Sequence, residues 1–160
     1  MSIMGSILII DDVYAIRQKL TTFLRQNFPN TRVDTIPNSA ANQFLDTHSG
    51  IGLILYDPIE NKRHIAVNFF KLLQERAPNV PILLHCGCKH SELDLLACIS
   101  AGARGFLVKD SPFPEYLTAI STVMEGRAYL PNDVKIDMVR ILRSYKMCTN
   151  LASARCTKLV

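Results

Sequence analysis

Three carboxylates and one ammonium group are placed where short apolar runs of the sequence end. The acid pair Asp11-Asp12 follows one run, Asp57 follows a second and Lys109 follows a third. If these runs are parallel strands, their carboxyl ends meet at one edge of a sheet, which is where ligands bind in such folds. Clustered carboxylates attract a hard divalent cation, and an ammonium group pairs with phosphate oxygens. The four side chains therefore predict a cation-binding, phosphate-handling site.

The elements that must position these side chains follow from the apolar periodicity. The central run lies between a glycine and a proline, and its length suits a strand buried on both faces. Five segments have a strand pattern: Ser6–Ile10, Arg32–Ile36, Leu53–Tyr56, Pro81–Leu84 and Gly105–Val108. Five have a helical pattern: Tyr14–Asn27, a short helix capped by Asn38-Ser39 that runs through Leu45, a helix from Val67 that stops before Pro78, a helix Ser91–Ala101 capped by Ser91, and Pro112–Glu125.

Strands that alternate with helices in this way predict an α/β fold built on a doubly wound, five-stranded parallel sheet. Right-handed crossovers between parallel strands place helices on both faces of such a sheet. Gly102 and Gly126 stand just past the fourth and fifth helices, where glycine commonly ends a helix. A polar loop, Glu60–Arg63, is expected after the central strand.

Composition narrows the class of protein. The chain has 160 residues, of which 48% are apolar, enough for the core of one domain with a short appendage. No apolar run is long enough to cross a bilayer, and Asp11-Asp12 interrupts the N-terminal run too early for a signal peptide. The 5 cysteines have no disulfide-like spacing. These features predict a cytoplasmic protein.

The positive charge is concentrated in the last part of the chain. From Arg127 onward there are seven Lys or Arg residues and two acids, so this part carries a charge of +5. The preceding 126 residues carry −1, which gives the net charge of +4. Apolar residues at helical spacing predict an additional amphipathic helix, Asp133–Met147, that could pack on its own domain, a second subunit or a partner. The basic tail could contact nucleic acid electrostatically. It has no recognition-helix pattern, so we expect no direct reading of DNA by this chain alone.

Three sequence blocks resemble the receiver domain of two-component response regulators. They are Leu-Ile-Ile-Asp-Asp, Leu-Ile-Leu-Tyr-Asp and Gly-Ala-Arg-Gly-Phe-Leu-Val-Lys, which end at Asp12, Asp57 and Lys109, and the likeness covers about Ile7 to Pro131. It implies a flavodoxin-like fold. The block Gly126–Pro131 resembles the end of receivers that precede a helix-turn-helix output domain of the LuxR type. We expect a receiver domain at 1–131 and a helical extension with a basic tail at 132–160, without a complete output domain.

The resemblance implies phosphotransfer rather than an enzyme acting on other molecules. Asp57 would accept a phosphoryl group from a histidine kinase, and Lys109 would pair with the phosphoryl oxygens. Mg²⁺ would be held by Asp12, Asp57 and the backbone carbonyl of Ile59, with Asp11 acting through a coordinated water. The remaining implied roles are a phosphoryl contact by Cys86 and Gly87, and a conformational switch at Cys86 and Phe106. Signalling would proceed through dimerisation or partner binding, in the regulation of transcription.

Two departures from the family pattern favour an alternative. Cys86 stands where the family has a Thr or Ser hydroxyl, and a thiol is a weaker hydrogen-bond donor. After Asp57 the family's Pro and Gly are replaced by Asn61 and Ile65, and Pro58 has no amide donor. These changes predict a weakened switch response. They also allow a receiver-like interaction module that binds another regulator without phosphorylation.

Two further hypotheses remain open. His85, Cys86, Cys88 and His90 could bind Zn²⁺ or sense redox state, although structural zinc sites use longer spacings. Receivers often dimerise through the fourth and fifth helices, which here carry apolar residues, some of which must face outward: Leu93, Leu96, Ala97, Ile99, Tyr116 and Ile120. We therefore predict a homodimer through these helices.

Overall fold

The computed structural model describes residues 5–60, 64–87, 92–132 and 134. The chain divides into two compact units, Met1–Tyr129 and Leu130–Val160. Almost all of the second unit, including the predicted helix at 133–147 and the basic tail, lies outside the described residues. The division into a receiver at 1–131 and an extension at 132–160 stays a prediction.

The described residues of the first unit form seven strands and five α-helices. The strands are β1 (Ser6–Ile10), β2 (Val33–Ile36), β3 (Ile51–Tyr56), β4 (Ile59–Glu60), β5 (His64–Ile65), β6 (Ile82–Cys86) and β7 (Gly105–Val108). The helices are α1 (Tyr14–Asn27), α2 (Ala41–Thr47, preceded by a 3₁₀ turn at Asn38–Ala40), α3 (Val67–Arg76), α4 (Glu92–Ser100) and α5 (Phe113–Met124). None of the helices in the described part of the chain has both the length and the apolar content needed to span a membrane.

Five of the strands form one parallel sheet in the order β2-β1-β3-β6-β7. This order, with helices between the strands, is the flavodoxin-like fold, so the predicted fold class is confirmed. The order reverses between β1 and β3, and such a switch point is where ligands bind in open α/β sheets. Every residue of β1 and β6 is buried, as expected for strands covered on both faces.

The segment after β3 differs from the prediction. Instead of a loop that begins at Glu60, β4 and β5 form a small antiparallel ladder in which Ile59 pairs with Ile65 and Glu60 with His64. The amide of Ala66 donates to the carbonyl of Pro58 at 2.7 Å, which closes one end of this ladder. The alternation of apolar and polar residues in β4 and β5 is a strand signal that the charged residues between them concealed.

The two faces of the sheet are covered by different helices. Alternate strand residues, Ile7, Ile9, Leu53, Leu55, Leu83 and Leu107, form one core cluster with buried residues of α1 and α5. The other alternate residues of the strands point to the opposite face of the sheet. On that face, Tyr56 packs against Phe69 of α3 with ring centroids 5.7 Å apart. Right-handed crossovers place α2 and α4 on this second face with α3.

The predicted helix ends are partly confirmed. Gly102 and Gly126 have φ values of 112° and 78°, the left-handed conformation that glycine adopts without strain, and each is the second residue past the end of its helix, α4 or α5. The predicted cap at Asn38-Ser39 is wrong, because α2 begins after a 3₁₀ turn and its N-cap residue Ala40 makes no side-chain hydrogen bond. The predicted cap Ser91 lies outside the described residues.

Candidate functional site at the carboxyl edge of the sheet

Backbone hydrogen bonds hold the charged residues beside the ends of neighbouring strands. The amide of Asp57, one residue past β3, donates to the carbonyl of Ile10 at the end of β1, at 2.8 Å. The amide of Lys109, one residue past β7, donates to the carbonyl of Cys86 at the end of β6, also at 2.8 Å. Since parallel strands end together, these bonds bring side chains that are 52 residues apart in sequence to the same edge.

Lys109 joins two of the three carboxylates. Its Nζ atom lies 2.7 Å from Oδ2 of Asp57 and 2.6 Å from Oδ2 of Asp11. The three side chains are 11%, 10% and 1% exposed, respectively. Burial opposes the charged form of the lysine, but the hydrogen bonds that the ammonium donates to Asp11 and Asp57 outweigh it, so the pKa of Lys109 is raised. The arrangement is a largely buried ion triad in which one ammonium group forms ion pairs with two carboxylates.

Asp11 is fixed by its local backbone as well as by the lysine. Its Oδ1 accepts a hydrogen bond of 2.7 Å from the amide of Val13, while its own carbonyl accepts one from the guanidinium of Arg17. The first contact spans two residues and forms the tight turn between β1 and α1. Asp11 therefore offers its other oxygen to Lys109 in a fixed direction.

Asp12 is held by Asn38, a residue that was not predicted to lie in the site. Asn38 donates to both of its carboxylate oxygens, from the backbone amide at 2.8 Å and from the side-chain amide at 3.1 Å. Asn38 follows β2, whose end lies beside that of β1. The predicted parallel sheet could have identified it, because a polar residue after the second strand must lie at the same edge as the acid pair.

The composition of this edge fits a hard divalent cation. Asp11, Asp12 and Asp57 supply oxygen ligands of the kind that Mg²⁺ prefers, and one lysine does not neutralise three carboxylates. As the side chains are arranged, Asp12 is bonded to Asn38, and in the described ranges no three His, Cys, Asp or Glu side chains gather into a metal site. The predicted metal-binding roles, including that of the Ile59 carbonyl, stay predictions.

The predicted phosphoryl contacts lie beside Lys109. Cys86 is fully buried, and its carbonyl accepts the hydrogen bond from the Lys109 amide. Gly87 lies against the lysine stem, because a Cβ built there would be 3.6 Å from Cδ of Lys109. Phe106, the predicted switch residue, is 3% exposed and therefore faces inward. Its amide donates to the carbonyl of Tyr129 at 3.0 Å, which ties β7 to the segment after α5.

A buried polar pair lies on the other side of β6 from Cys86. Nε2 of His85 is 2.7 Å from the hydroxyl oxygen of Tyr116 in α5, and that hydroxyl also lies 3.0 Å from the carbonyl of Lys109, to which it donates. Burial, followed by the charges of Lys109 and Lys19, lowers the pKa of His85 to about 3. The pair was missed because both residues were interpreted separately, His85 as a metal ligand and Tyr116 as part of an apolar surface.

This pair bears on two of the open hypotheses. His85 and Cys86 point to opposite faces of the sheet, and the other two residues of the zinc hypothesis, Cys88 and His90, lie outside the described residues. For the dimer hypothesis, Tyr116 and Ile120 are buried in the core, whereas Leu96, Ala97 and Ile99 are half-buried. Of these five residues, only those of α4 are partly accessible to a second subunit.

Comparisons with known proteins agree with the fold. No family model matches the chain. The glycerol metabolism activator of Pseudomonas putida is 30% identical over 132 residues, which are 82% of this chain and 59% of that protein, so the chain spans less than two thirds of this relative's length. A LuxR-family DNA-binding response regulator from Silicibacter pomeroyi superposes with a TM-score of 0.68 and 27% identity, over 81% of this chain and 98% of that one.

A third similarity supports the fold alone. The isolated REC domain of RcsB from Salmonella enterica serovar Typhimurium, determined in the presence of the phosphomimetic BeF₃⁻, superposes with a TM-score of 0.68 at 16% identity. It covers 82% of this chain and 96% of that one. The sheet order, the charged residues at the strand ends and these likenesses lead to one conclusion: the chain contains a receiver domain of response regulators, similar in structure to those of LuxR-family DNA-binding regulators.

Proposed function

We propose that this chain is a phosphoacceptor of two-component signalling, and that Asp57 takes a phosphoryl group from a histidine kinase. The observation that carries the proposal is the position of the Lys109 ammonium, 2.7 Å from Asp57 and 2.6 Å from Asp11 at the carboxyl edge of the sheet. A phosphoryl group attached to Asp57 would adjoin this ammonium. A charged donor next to the acceptor carboxylate is the arrangement that stabilises a transferred phosphoryl group.

In the proposed reaction, an oxygen of Asp57 attacks the phosphorus of the kinase phosphohistidine. The P–N bond breaks, and the product is an acyl phosphate on Asp57. Lys109 can exchange its bond to the carboxylate for a bond to a phosphoryl oxygen without leaving Asp11, because Asp11 holds it independently. An acyl phosphate is reactive, so the modification can be reversed by hydrolysis, which suits a switch.

Mg²⁺ would be held by Asp12, Asp57 and the Ile59 carbonyl, with Asp11 acting through a water. When bound, the ion would neutralise charge that develops on the transferred phosphoryl group. The protein's own contribution is the placement of the ligands. Asn38 fixes the carboxylate of Asp12 through two hydrogen bonds, and the backbone bond to Ile10 fixes Asp57.

The output of the signal is proposed from the relatives. A glycerol metabolism activator and a DNA-binding response regulator are among them, which supports a role in the regulation of transcription. A homodimer through α4 and α5, or a protein partner of the predicted C-terminal helix, would carry the response. A fall to a monomer on removal of Mg²⁺ and phosphoryl donor, measured by light scattering, would link dimerisation to phosphorylation.

Labelling of the purified protein tests the phosphoacceptor role. With acetyl phosphate and Mg²⁺, mass spectrometry of the intact chain should show one added phosphoryl group, which Asp57→Asn should abolish. Asp46→Asn is the matched control, because Asp46 lies on α2 in an exposed ion pair with Arg76 and should not affect labelling. Wild-type protein that stays unlabelled with acetyl phosphate and with other small phosphoryl donors would contradict the proposal.

A second candidate is an interaction module that acts without phosphorylation. Two observations favour it: the buried Cys86 replaces a hydroxyl, and Asn38 occupies both oxygens of Asp12. On this account the Lys109 triad is a structural ion cluster, and another regulator binds the same surface whether or not Asp57 is modified. Binding to a partner that is unchanged by Asp57→Asn and by beryllofluoride would favour this candidate over the first.

A further inference from the structure

The residue that carries the ammonium group has both of its main-chain polar groups fixed by neighbouring elements. The amide of Lys109 donates to Cys86 at the end of β6, at 2.8 Å. Its carbonyl accepts a hydrogen bond of 3.0 Å from the hydroxyl of Tyr116 in the first turns of α5. The β-sheet ladder explains the first bond. The second bond is a side-chain contact that β7 does not need for its own pairing.

The protons in the contact between His85 and Tyr116 can be assigned from the chemistry of the two side chains. His85 is 2% exposed and neutral over the physiological range, because burial and the nearby lysines lower its pKa to about 3. Tyr116 has one hydroxyl proton, which it donates to the Lys109 carbonyl. The contact of 2.7 Å between His85 and Tyr116 therefore needs a proton from the ring, so Nε2–H donates to the hydroxyl oxygen. The result is a directed chain from His85 through Tyr116 to Lys109.

Aromatic packing fixes the ring that carries this hydroxyl. Tyr116 makes edge contacts with Phe23 of α1 and Phe113 of α5, at centroid distances of 5.9 and 6.2 Å. Those two phenyl rings stack on each other at 4.4 Å. A tyrosine ring packed edge-on against two stacked phenyl rings has little freedom to move, so the hydroxyl points in one direction.

We propose that Tyr116, oriented by His85, is a positioning residue for Lys109, and that its hydroxyl holds the Lys109 carbonyl so that the ammonium bridges Asp11 and Asp57. The assignment deepens the proposed function and rests on it where phosphotransfer is concerned. Without the hydroxyl, the carbonyl has no protein donor from α5 and turns toward water. The backbone at the start of the lysine side chain then becomes mobile, and Nζ spends more time away from the carboxylates.

The first test does not depend on phosphorylation. Lysines of the folded protein are acylated with a limiting amount of acetic anhydride, and the acylation rate of Lys109 is measured by mass spectrometry relative to that of the exposed Lys71. Tyr116→Phe keeps the ring and removes the hydroxyl. We expect this variant to raise the Lys109 rate by about threefold to tenfold, the factor that one hydrogen bond is worth.

Tyr129→Phe is the matched control. It also removes one tyrosine hydroxyl bond to α5, the 2.7 Å contact with Glu115, but this bond does not involve the Lys109 backbone. Its Lys109 rate should equal that of the wild type. His85→Leu removes the donor that orients Tyr116, so it should raise the rate in the same direction. The double variant His85→Leu, Tyr116→Phe should gain little over Tyr116→Phe alone, because both changes break one chain.

The second test measures phosphorylation. The initial rate of labelling by acetyl phosphate should fall by about threefold to tenfold in Tyr116→Phe and stay unchanged in Tyr129→Phe. A faster acylation of Lys109 together with a wild-type protein that is never labelled would support the positioning role and reject the proposed function. A folded Tyr116→Phe or His85→Leu protein with the wild-type Lys109 acylation rate would overturn the positioning role. Should Tyr116→Phe fail to fold, the His85→Leu result alone decides.

Discussion

At the carboxyl edge, the two faces of the sheet are connected to their helices in different ways. Two consecutive residues of β6, His85 and Cys86, point to these two faces. On the α1–α5 side, His85 reaches Tyr116 and, through it, the main chain of Lys109, by hydrogen bonds of 2.7 and 3.0 Å. On the opposite side, Cys86 and Phe106 are buried in the half of the core that α3 and α4 cover. The described link between the charged edge and α5 is therefore polar and directed, whereas on the α3–α4 side Cys86 presents a thiol in place of a hydroxyl.

The difference indicates where a change at Asp57 would be transmitted. In the family resemblance, a hydroxyl at the position of Cys86 couples the phosphoryl group to the fourth helix. A thiol at that position donates weakly. The polar link described above leads to α5, on the other side of the sheet. We therefore expect a response at α5 and a weaker one through Cys86 to α4, and the following changes test this contrast.

The largest effect should come from removing the ammonium group. Lys109→Met should lower the free energy of unfolding by about 3 kcal/mol, because two sheltered carboxylates lose their shared counter-ion. Urea unfolding with a fixed m-value measures this loss. Adding Asp57→Asn should recover part of it, since one of the two uncompensated charges is then removed. A single variant as stable as the wild type would show that the triad is not an organised ion cluster.

A fall in pH should lower the stability of the fold through His85, on the α1–α5 side of the sheet. The folded pKa of this histidine is about 3, against about 6.5 when it is unfolded, so between these values only the unfolded chain binds the proton. The histidine's contribution to stability is fully present above pH 6.5 and is lost as the pH falls toward 3. The loss should amount to about 2–3 kcal/mol at pH 4.5 relative to pH 7.

His85→Leu should remove this part of the pH dependence. Denaturant unfolding at several pH values between 4 and 7 provides the measurement. His48→Gln is the control, because His48 lies exposed after α2. Equal acid dependence in wild type and His85→Leu would mean that His85 is not buried as a neutral group.

The smallest effect on stability is expected from changes at Cys86, on the α3–α4 side of the sheet. Cys86→Thr restores a hydroxyl, with a change in stability of about 1 kcal/mol or less. It should nevertheless enlarge the response of Phe106 to beryllofluoride and Mg²⁺, observed by fluorine NMR of protein labelled with fluorophenylalanine. Cys86→Val has a similar volume without a donor and should leave the response as in the wild type. A response that is already full in the wild type would contradict the weakened coupling.

The fold and the charged triad could be predicted because each depends on information that is local in sequence. Short apolar runs define the strands, and a charged residue directly after a parallel strand must lie at the carboxyl edge. This rule was sufficient to bring together Asp11, Asp57 and Lys109. The apolar runs also defined all five strands of the main sheet to within two residues, and the largest differences are at the start of β3 and the end of β6.

The contacts that hold the triad could not be predicted in the same way. The pairing of Asn38 with Asp12 depends on the direction of a side chain in a 3₁₀ turn, which apolar periodicity does not encode. The pairing of His85 with Tyr116 depends on the rotation of α5 about its axis, which brings an amphipathic side chain inward with its hydroxyl. Side-chain direction across 31 residues of sequence is a property of tertiary packing.

Chemical trapping of the phosphorylated residue would identify the phosphoacceptor directly. After treatment with acetyl phosphate and Mg²⁺, borohydride reduces an aspartyl phosphate to homoserine, which peptide mass spectrometry locates. The account predicts one reduced residue, at Asp57, formed more slowly in Tyr116→Phe than in Tyr129→Phe. Reduction at Asp11 or Asp12, or none in a folded protein, would contradict it.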